Sequence, residues 1–268
     1  MLINGMNVDA ISAKDRGLAY GDGHFTTMAV RNGRVLEWPA HLARLQQANL
    51  RLGITDPDWE LLAEELDSLV AEQAECVAKV VLTRGEGGRG YDGSDCRHPT
   101  RILSLAPFPQ HYREWQQSGI EMLVCRQRIG DAPMLAGLKT LNRLEQVLLK
   151  SELVSRGAVE GVVLNSRDCL VEGVSANLFW RRGKTVFTPD LARGGVDGIM
   201  RRKIMMMLKQ MSIELRVVEA PLESLRQAEE VWLTNTLMGV VPVNGIEEFR
   251  YPAAVLSRRL QERLVIEV

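Results

Sequence analysis

Two prolines two residues apart, Pro107 and Pro109, put the firmest constraint on how this chain folds. Proline gives no backbone N–H to a sheet ladder and biases the residue before it toward extended backbone. The run Ala106-Pro107-Phe108-Pro109 therefore cannot continue a central strand and reads as a linker. Two domains are expected, a small one over 1–106 and a larger one over 115–268, joined by 107–114. With 268 residues, 46% of them hydrophobic and 25% charged, the chain is long enough to give each domain a core.

The formal net charge of −1 provides no long-range field for a polyanion or an anionic lipid surface. Residues Met1–Gly5 show no basic region followed by an apolar run, and no segment approaches the roughly 20 apolar residues that span a bilayer. Neither nucleic acid nor a membrane is expected as a partner. Cys76, Cys96, Cys125 and Cys169 are scattered, without a Cys-x-x-Cys pair or a histidine at metal-ligand spacing. They read as reduced thiols of a cytoplasmic protein that needs no metal.

Before the linker, Phe25, Thr27 and Ala29 alternate with Thr26, Met28 and Val30, as in a strand buried on at least one face, and Asn32-Gly33 turns it into a hairpin. Residues 41–52 form a helix with Leu42, Leu45, Ala48 and Leu52 inward, closed by Gly53; Arg44 is buried or exposed depending on a one-position rotation. A second helix is expected over 58–74, and strands over 78–84 and 101–105. Gly85-Glu86-Gly87-Gly88-Arg89-Gly90 matches a dinucleotide-binding pattern literally, but Tyr91-Asp92-Gly93-Ser94-Asp95 cannot open the helix that site requires. A flexible loop is expected instead.

Beyond the linker, strands are expected at 121–125, 161–165, 169–172, 177–180, 185–187 and 230–235, and Val240–Val243 leads to an Asn244-Gly245 turn. Asp197-Gly198-Ile199 marks a helix N-terminus with Asp197 as cap, and the N–H groups of such a terminus can hold a phosphate. Strands and helices mix without strict alternation, so the fold class is α+β with two layers per domain. The run Gly137–Arg143 sets Lys139 ahead of a helix with Leu141, Leu144, Val147 and Leu148 on one face, ending before Gly157. A lysine held by a loop on a rigid scaffold can be desolvated, and desolvation lowers its pKa, making the amine usable as a nucleophile or base. Glu172 ends an apolar strand before Gly173, and Thr236 places a hydroxyl at the end of another.

Amine, carboxylate, helix terminus and hydroxyl are what a pyridoxal phosphate site needs for aldehyde, ring nitrogen and phosphate. Their order and spacing resemble the fold-type IV pyridoxal-phosphate enzymes, the group of branched-chain and D-amino acid aminotransferases and aminodeoxychorismate lyases. The likeness covers nearly the whole chain, through Gly21-Asp22-Gly23-His24-Phe25-Thr26-Thr27, Arg84–Tyr91, Leu135–Val147, Ser175–Trp180 and Gly198-Ile199-Met200-Arg201. The resemblance implies a homodimer and a two-domain α+β enzyme with pyridoxal 5'-phosphate between the domains. Lys139 would bond the aldehyde, Glu172 would face the ring nitrogen, and Arg44, Ile199, Met200 and Thr236 would hold the phosphate.

Where the aminotransferases usually carry a tyrosine five residues after the lysine, this chain has Leu144. That departure favours the lyase branch, which turns 4-amino-4-deoxychorismate into 4-aminobenzoate and pyruvate. Lys139 would take the proton from C4, and either Lys139 or the Thr27 hydroxyl would protonate the leaving side chain. Arg89 and Arg143 are the candidates for the substrate carboxylates, with His24, Phe25 and Tyr91 lining the pocket. An aminotransferase of the same fold is the competing enzyme reading, and a cofactor carrier or degenerate scaffold the non-enzyme one.

Overall fold

A computed structural model describes the backbone of residues 1–266 and the side chains of residues 1–264. The chain divides between Pro109 and Gln110, inside the expected linker, into two compact units. The first holds Met1–Pro109 together with Lys139–Asn142, and the second holds Gln110–Leu138 and the chain from Arg143 onward. Two expectations change here. His111–Ser118 is helical, so the linker does not extend to 114, and the lysine segment packs with the first unit although 115–268 was expected to be one body.

The first unit comprises β1 (Leu2–Ile3), α1 (Arg16–Tyr20), β2 (Gly23–Arg31), β3 (Arg34–Val35), α2 (Trp38–Leu52), α3 (Trp59–Val70), β4 (Glu75–Thr83) and β5 (Thr100–Ala106). Its antiparallel sheet runs β1-β5-β4-β2-β3. Side chains alternate across a strand, so Met28 and Val30 of β2, Ala78, Val80 and Leu82 of β4, and Leu103 of β5 share one face. They pack with Leu45 of α2 and Leu62, Leu66 and Val70 of α3. Asp58 caps α3 by accepting from the N–H groups of Glu60 and Leu61, and Gly53 closes α2 in the left-handed conformation. The buried row of α2 is His41, Leu45, Ala48 and Asn49, turned from the expected one. Two buried hydrogen bonds account for the rotation: Thr26 Oγ1 to His41 Nδ1 and His24 Nε2 to Asn49 Oδ1, each 2.6 Å.

The second unit comprises α4 (His111–Ser118), β6 (Ile120–Val124), α5 (Leu144–Ser155), β7 (Gly161–Leu164), β8 (Leu170–Gly173), β9 (Asn177–Arg182), β10 (Thr185–Pro189), α6 (Ile199–Gln210), β11 (Glu214–Val218), α7 (Glu223–Arg226), β12 (Glu230–Asn235), β13 (Gly239–Ile246), β14 (Phe249–Arg250) and α8 (Val255–Ile266). Its mixed sheet follows the order β11-β10-β9-β12-β13-β6-β7-β8, with β14 on β13. Leu178, Trp180, Val231 and Leu233 pack to one side. Phe179 and Trp232, stacked at 5.6 Å, pack to the other with Ile204 of α6 and Leu260 of α8.

Asn244-Gly245 is not a turn. β13 runs through it, shifting register against β6 between Val243 and Gly245, and Asn244 Nδ2 donates to the Ser118 carbonyl at 2.8 Å. The leucine face of α5 is also reversed. The helix starts at Leu144 and buries Leu149 and Leu153 against Val163 and Val171, while Leu144, Val147 and Leu148 are 71%, 56% and 48% exposed. Among the described residues no helix is long and apolar enough to cross a membrane.

Candidate active site

Residues 139–142 lie along the first half of β2, where β3 does not reach. The N–H of Phe25 donates to the Lys139 carbonyl at 2.9 Å, that of Leu141 to the Gly23 carbonyl at 3.0 Å, and His24 bridges Thr140. Opposed residues share a face and neighbours alternate, so buried Thr140 goes with His24 toward the helices and Lys139 goes with Phe25. The half-buried Lys139 Nζ lies 4.7 Å from the centroid of the Phe25 ring. So does Lys79 Nζ, at 4.7 Å, from a position directly opposite Thr27. Phe25, Thr27, Lys79 and Lys139 thus stand on one face of the first sheet. Sequence reading missed Lys79, whose only signal was its place among valines on a strand, out of phase with the core-facing Ala78 and Val80.

His24, expected in the substrate pocket, is on the opposite face and 1% exposed. Asn49 Nδ2 donates to Asp56 Oδ1 at 3.0 Å and the Thr55 carbonyl at 3.3 Å, which leaves its Oδ1 to accept from His24 Nε2. His24 is therefore held as the neutral Nε2–H tautomer, a core hydrogen bond in place of a pocket wall. Burial pushes its pKa below the ordinary 6.5, against a smaller upward pull from Asn49. With the folded pKa depressed, the unfolded chain binds this proton first, and the His24 contribution is present above pH 6.5 and lost as pH falls toward the folded pKa. Stability is expected to drop by up to about 1.4 kcal/mol per pH unit below that point, and His24→Gln should remove this part of the slope in urea titrations at pH 7 and pH 5.5.

Arg44 resolves as half-buried on α2, next to buried Leu45. Arg89 and Tyr91 are exposed on the segment between β4 and β5, which contains no helix.

In the second unit, Glu172 on β8 is 6% exposed, and its Oε2 accepts from the Val196 N–H at 2.9 Å. Asn177 at the start of β9 donates to the Val196 carbonyl at 2.8 Å. That pair fixes the chain just ahead of α6. The N-cap of α6 is Gly198, not Asp197, and no side chain caps it. Asp197 instead pairs with Arg201 at 2.9 Å, one turn on. Ile199 and Met200 open the helix as expected, both buried. Half-buried Thr236 lies in the turn after β12, set by Asn235, whose Oδ1 accepts from the N–H groups of Leu237 and Met238 at 2.9 and 2.8 Å. Asn235 Nδ2 also donates to the Ser175 carbonyl at 3.1 Å, linking this turn to the connection between β8 and β9. Asn177 and Asn235 were missed as supports; for Asn235 an asparagine at a strand end that bonds the backbone just after it was the available signal, whereas Asn177 reaches a carbonyl 19 residues on. Arg143 donates to the Leu138 carbonyl at 3.3 Å, and burial lowers its pKa against the opposing attraction of Glu172 and Glu145.

Two α+β units, one presenting a lysine amine on a sheet face and the other a buried acid beside an uncapped helix terminus, have the architecture of the fold-type IV enzymes. The model of the amino-transferase class IV family matches residues 23–246, and the chain belongs to that family. It is 38% identical to an aminodeoxychorismate lyase of Vibrio harveyi over 98% of both chains. It is 31% identical to a putative branched-chain-amino-acid aminotransferase of Methanocaldococcus jannaschii, over 91% of this chain and 87% of that one. The crystal structure of 4-amino-4-deoxychorismate lyase from Pseudomonas aeruginosa superposes with a TM-score of 0.93 at 40% identity, over 100% of this chain and 98% of that chain.

Proposed function

We propose that this chain is a pyridoxal-phosphate-dependent lyase that converts 4-amino-4-deoxychorismate to 4-aminobenzoate and pyruvate in the cytoplasm. The observation that carries the reading is the end-to-end likeness to the Vibrio harveyi and Pseudomonas aeruginosa lyases. The donor chemistry fits the cofactor. Lys139 offers an amine beside an aromatic ring, Glu172 a buried carboxylate with one oxygen fixed by Val196, and α6 a first turn with no capping side chain. Arg44 and Thr236 are assigned to the phosphate with the N–H groups of Ile199 and Met200.

When bound, pyridoxal phosphate supplies a protonated ring that accepts the electron pair released at the substrate carbon. Lys139 Nζ would hold the cofactor through its aldehyde, and the same amine would be the base for the proton at C4 of the substrate. The enolpyruvyl group leaves with the C–O bonding pair, and its methylene takes a proton from Lys139 or from Thr27, which shares the sheet face with Lys139. Glu172 would keep the ring nitrogen protonated. Arg89 and Arg143 are assigned to the substrate carboxylates, with Phe25 and Tyr91 against the ring, and Lys79 adds a cation on the face of Lys139. Purified protein mixed with aminodeoxychorismate should release pyruvate and 4-aminobenzoate in equal amounts. Rapid conversion of the cofactor to its amine form by an amino donor, with no pyruvate, would instead establish the aminotransferase reading that the Methanocaldococcus jannaschii relative supports.

A homodimer belongs to the same reading. Leu144, Val147 and Leu148 line the outer face of α5, and a row of that kind favours a second protein surface. Sedimentation should give twice the 30.0 kDa chain mass, and Leu148→Arg should shift the protein to monomer at micromolar concentration. A wild-type monomer at that concentration would refute the assignment.

A further inference from the structure

The segment between β4 and β5 has no regular structure, yet it is not loose. Arg16, at the start of α1, is 3% exposed, and its guanidinium is spent almost entirely on this segment. Nη1 donates to the carbonyls of Gly90 at 2.9 Å and Asp92 at 3.3 Å, and Nη2 to that of Tyr91 at 3.0 Å. Nε donates to Asp22 Oδ2 at 2.8 Å, which supplies the counter-charge. Asp22 Oδ2 also accepts from Arg84 Nε at 2.8 Å, and Arg84 in turn holds the Leu52 and Gly53 carbonyls at the end of α2. Burial opposes charge on Asp22, but the hydrogen bonds from Arg84 and Arg16 outweigh it and keep its pKa below the ordinary carboxylate range.

Three consecutive carbonyls turned onto one buried cation leave the side chains of this stretch facing outward. Tyr91 is 88% exposed, and Arg89 is exposed. Further ties follow the same line. The N–H of Arg16 donates to the Gly85 carbonyl, and the N–H of Gly90 donates to the Tyr20 hydroxyl at 3.2 Å. A Cβ on Gly87 would stand 2.7 Å from Arg16 Cδ and 2.8 Å from Cys96 Sγ, so only glycine lets the backbone approach the arginine arm this closely. The planar fork of arginine reaches three carbonyls and a carboxylate at once; the single nitrogen of lysine cannot.

We propose that Arg16 is a positioning residue that presets the 85–92 segment as a fixed wall presenting Arg89 and Tyr91, where the sequence had suggested a flexible loop. The consequence for catalysis rests on the function proposed above, since it takes Arg89 and Tyr91 to meet the substrate. The anchoring itself does not.

The test separates the two. Arg16→Lys holoprotein should be cut by trypsin after Arg89 at least about tenfold faster than wild type, with unchanged far-ultraviolet dichroism and an unchanged cofactor absorbance band. Its KM for aminodeoxychorismate should rise at least about tenfold while kcat falls much less. Gly87→Ala, which crowds the arginine arm without removing its charge, should show both effects in milder form and covers the case in which Arg16→Lys fails to fold. Unchanged cleavage after Arg89 in the folded variants overturns the anchoring. Faster cleavage with KM unmoved, or with kcat alone reduced, overturns the wall. If wild type itself fails to release pyruvate while the variants are cut faster, the anchor stands and the proposed function falls.

Discussion

Replacing Lys139 by alanine is expected to lower pyruvate release by at least about 10⁴-fold and to remove the visible absorbance band of the reconstituted protein. Both effects follow from the proposed assignment of one nitrogen as attachment point and proton carrier. The neighbourhood makes the test stringent. Lys79 Nζ lies as close to the Phe25 ring as Lys139 Nζ does, so a second amine shares the sheet face. It is anchored mid-strand on β4, whereas Lys139 is carried by a short segment beside the first half of β2. A band that persists in Lys139→Ala and disappears in the double variant with Lys79→Ala would transfer the attachment to Lys79 and sink the assignment.

The second large effect is expected at Glu172. Substitution by glutamine preserves an oxygen for the Val196 N–H but removes the negative charge, so fold and cofactor content should be retained while turnover falls by about 10²–10³-fold. The loss belongs in kcat. A carboxylate that stabilises charge developing during reaction contributes little before the reaction begins. Glu172→Ala should fall further, because it also leaves the half-buried Val196 N–H without this acceptor. Full activity in either variant would remove Glu172 from the mechanism.

Much of this fold was legible because its strands obey period two and its punctuation is chemically specific. Pro107 and Pro109 marked where the units part, Asn32-Gly33 made its hairpin, and Gly53 ended α2. What failed did so where one local pattern had two solutions. The Leu144, Val147 and Leu148 row is a real helical face, but a chain read alone cannot say which of two apolar rows faces inward, and Leu149 with Leu153 took the core. Asn244-Gly245 has turn chemistry, yet a parallel neighbour absorbed it as a register shift. His24 lies one residue from Phe25, and strand parity alone sends it to Asn49 on the helix side. Lys139 stands out by the order of its motif, but its association with β2 depends on pairings more than 110 residues apart in sequence, which no window along the chain contains.

The bare cap of α6 carries a last consequence. Exchanging Gly198 for serine or aspartate, the usual improvements at such a position, would displace the Asn177 side chain from the Val196 carbonyl, because a Cβ there would fall 2.0 Å from Asn177 Oδ1. With glycine at the cap, the helix forgoes only about a few tenths of a kcal/mol of intrinsic capping as a result. That deficit is recoverable from outside. An anion seated on the first turn at free concentration c stabilises the folded state by RT ln(1 + c/Kd), so melting temperature should climb with the logarithm of anion concentration even after the site is full.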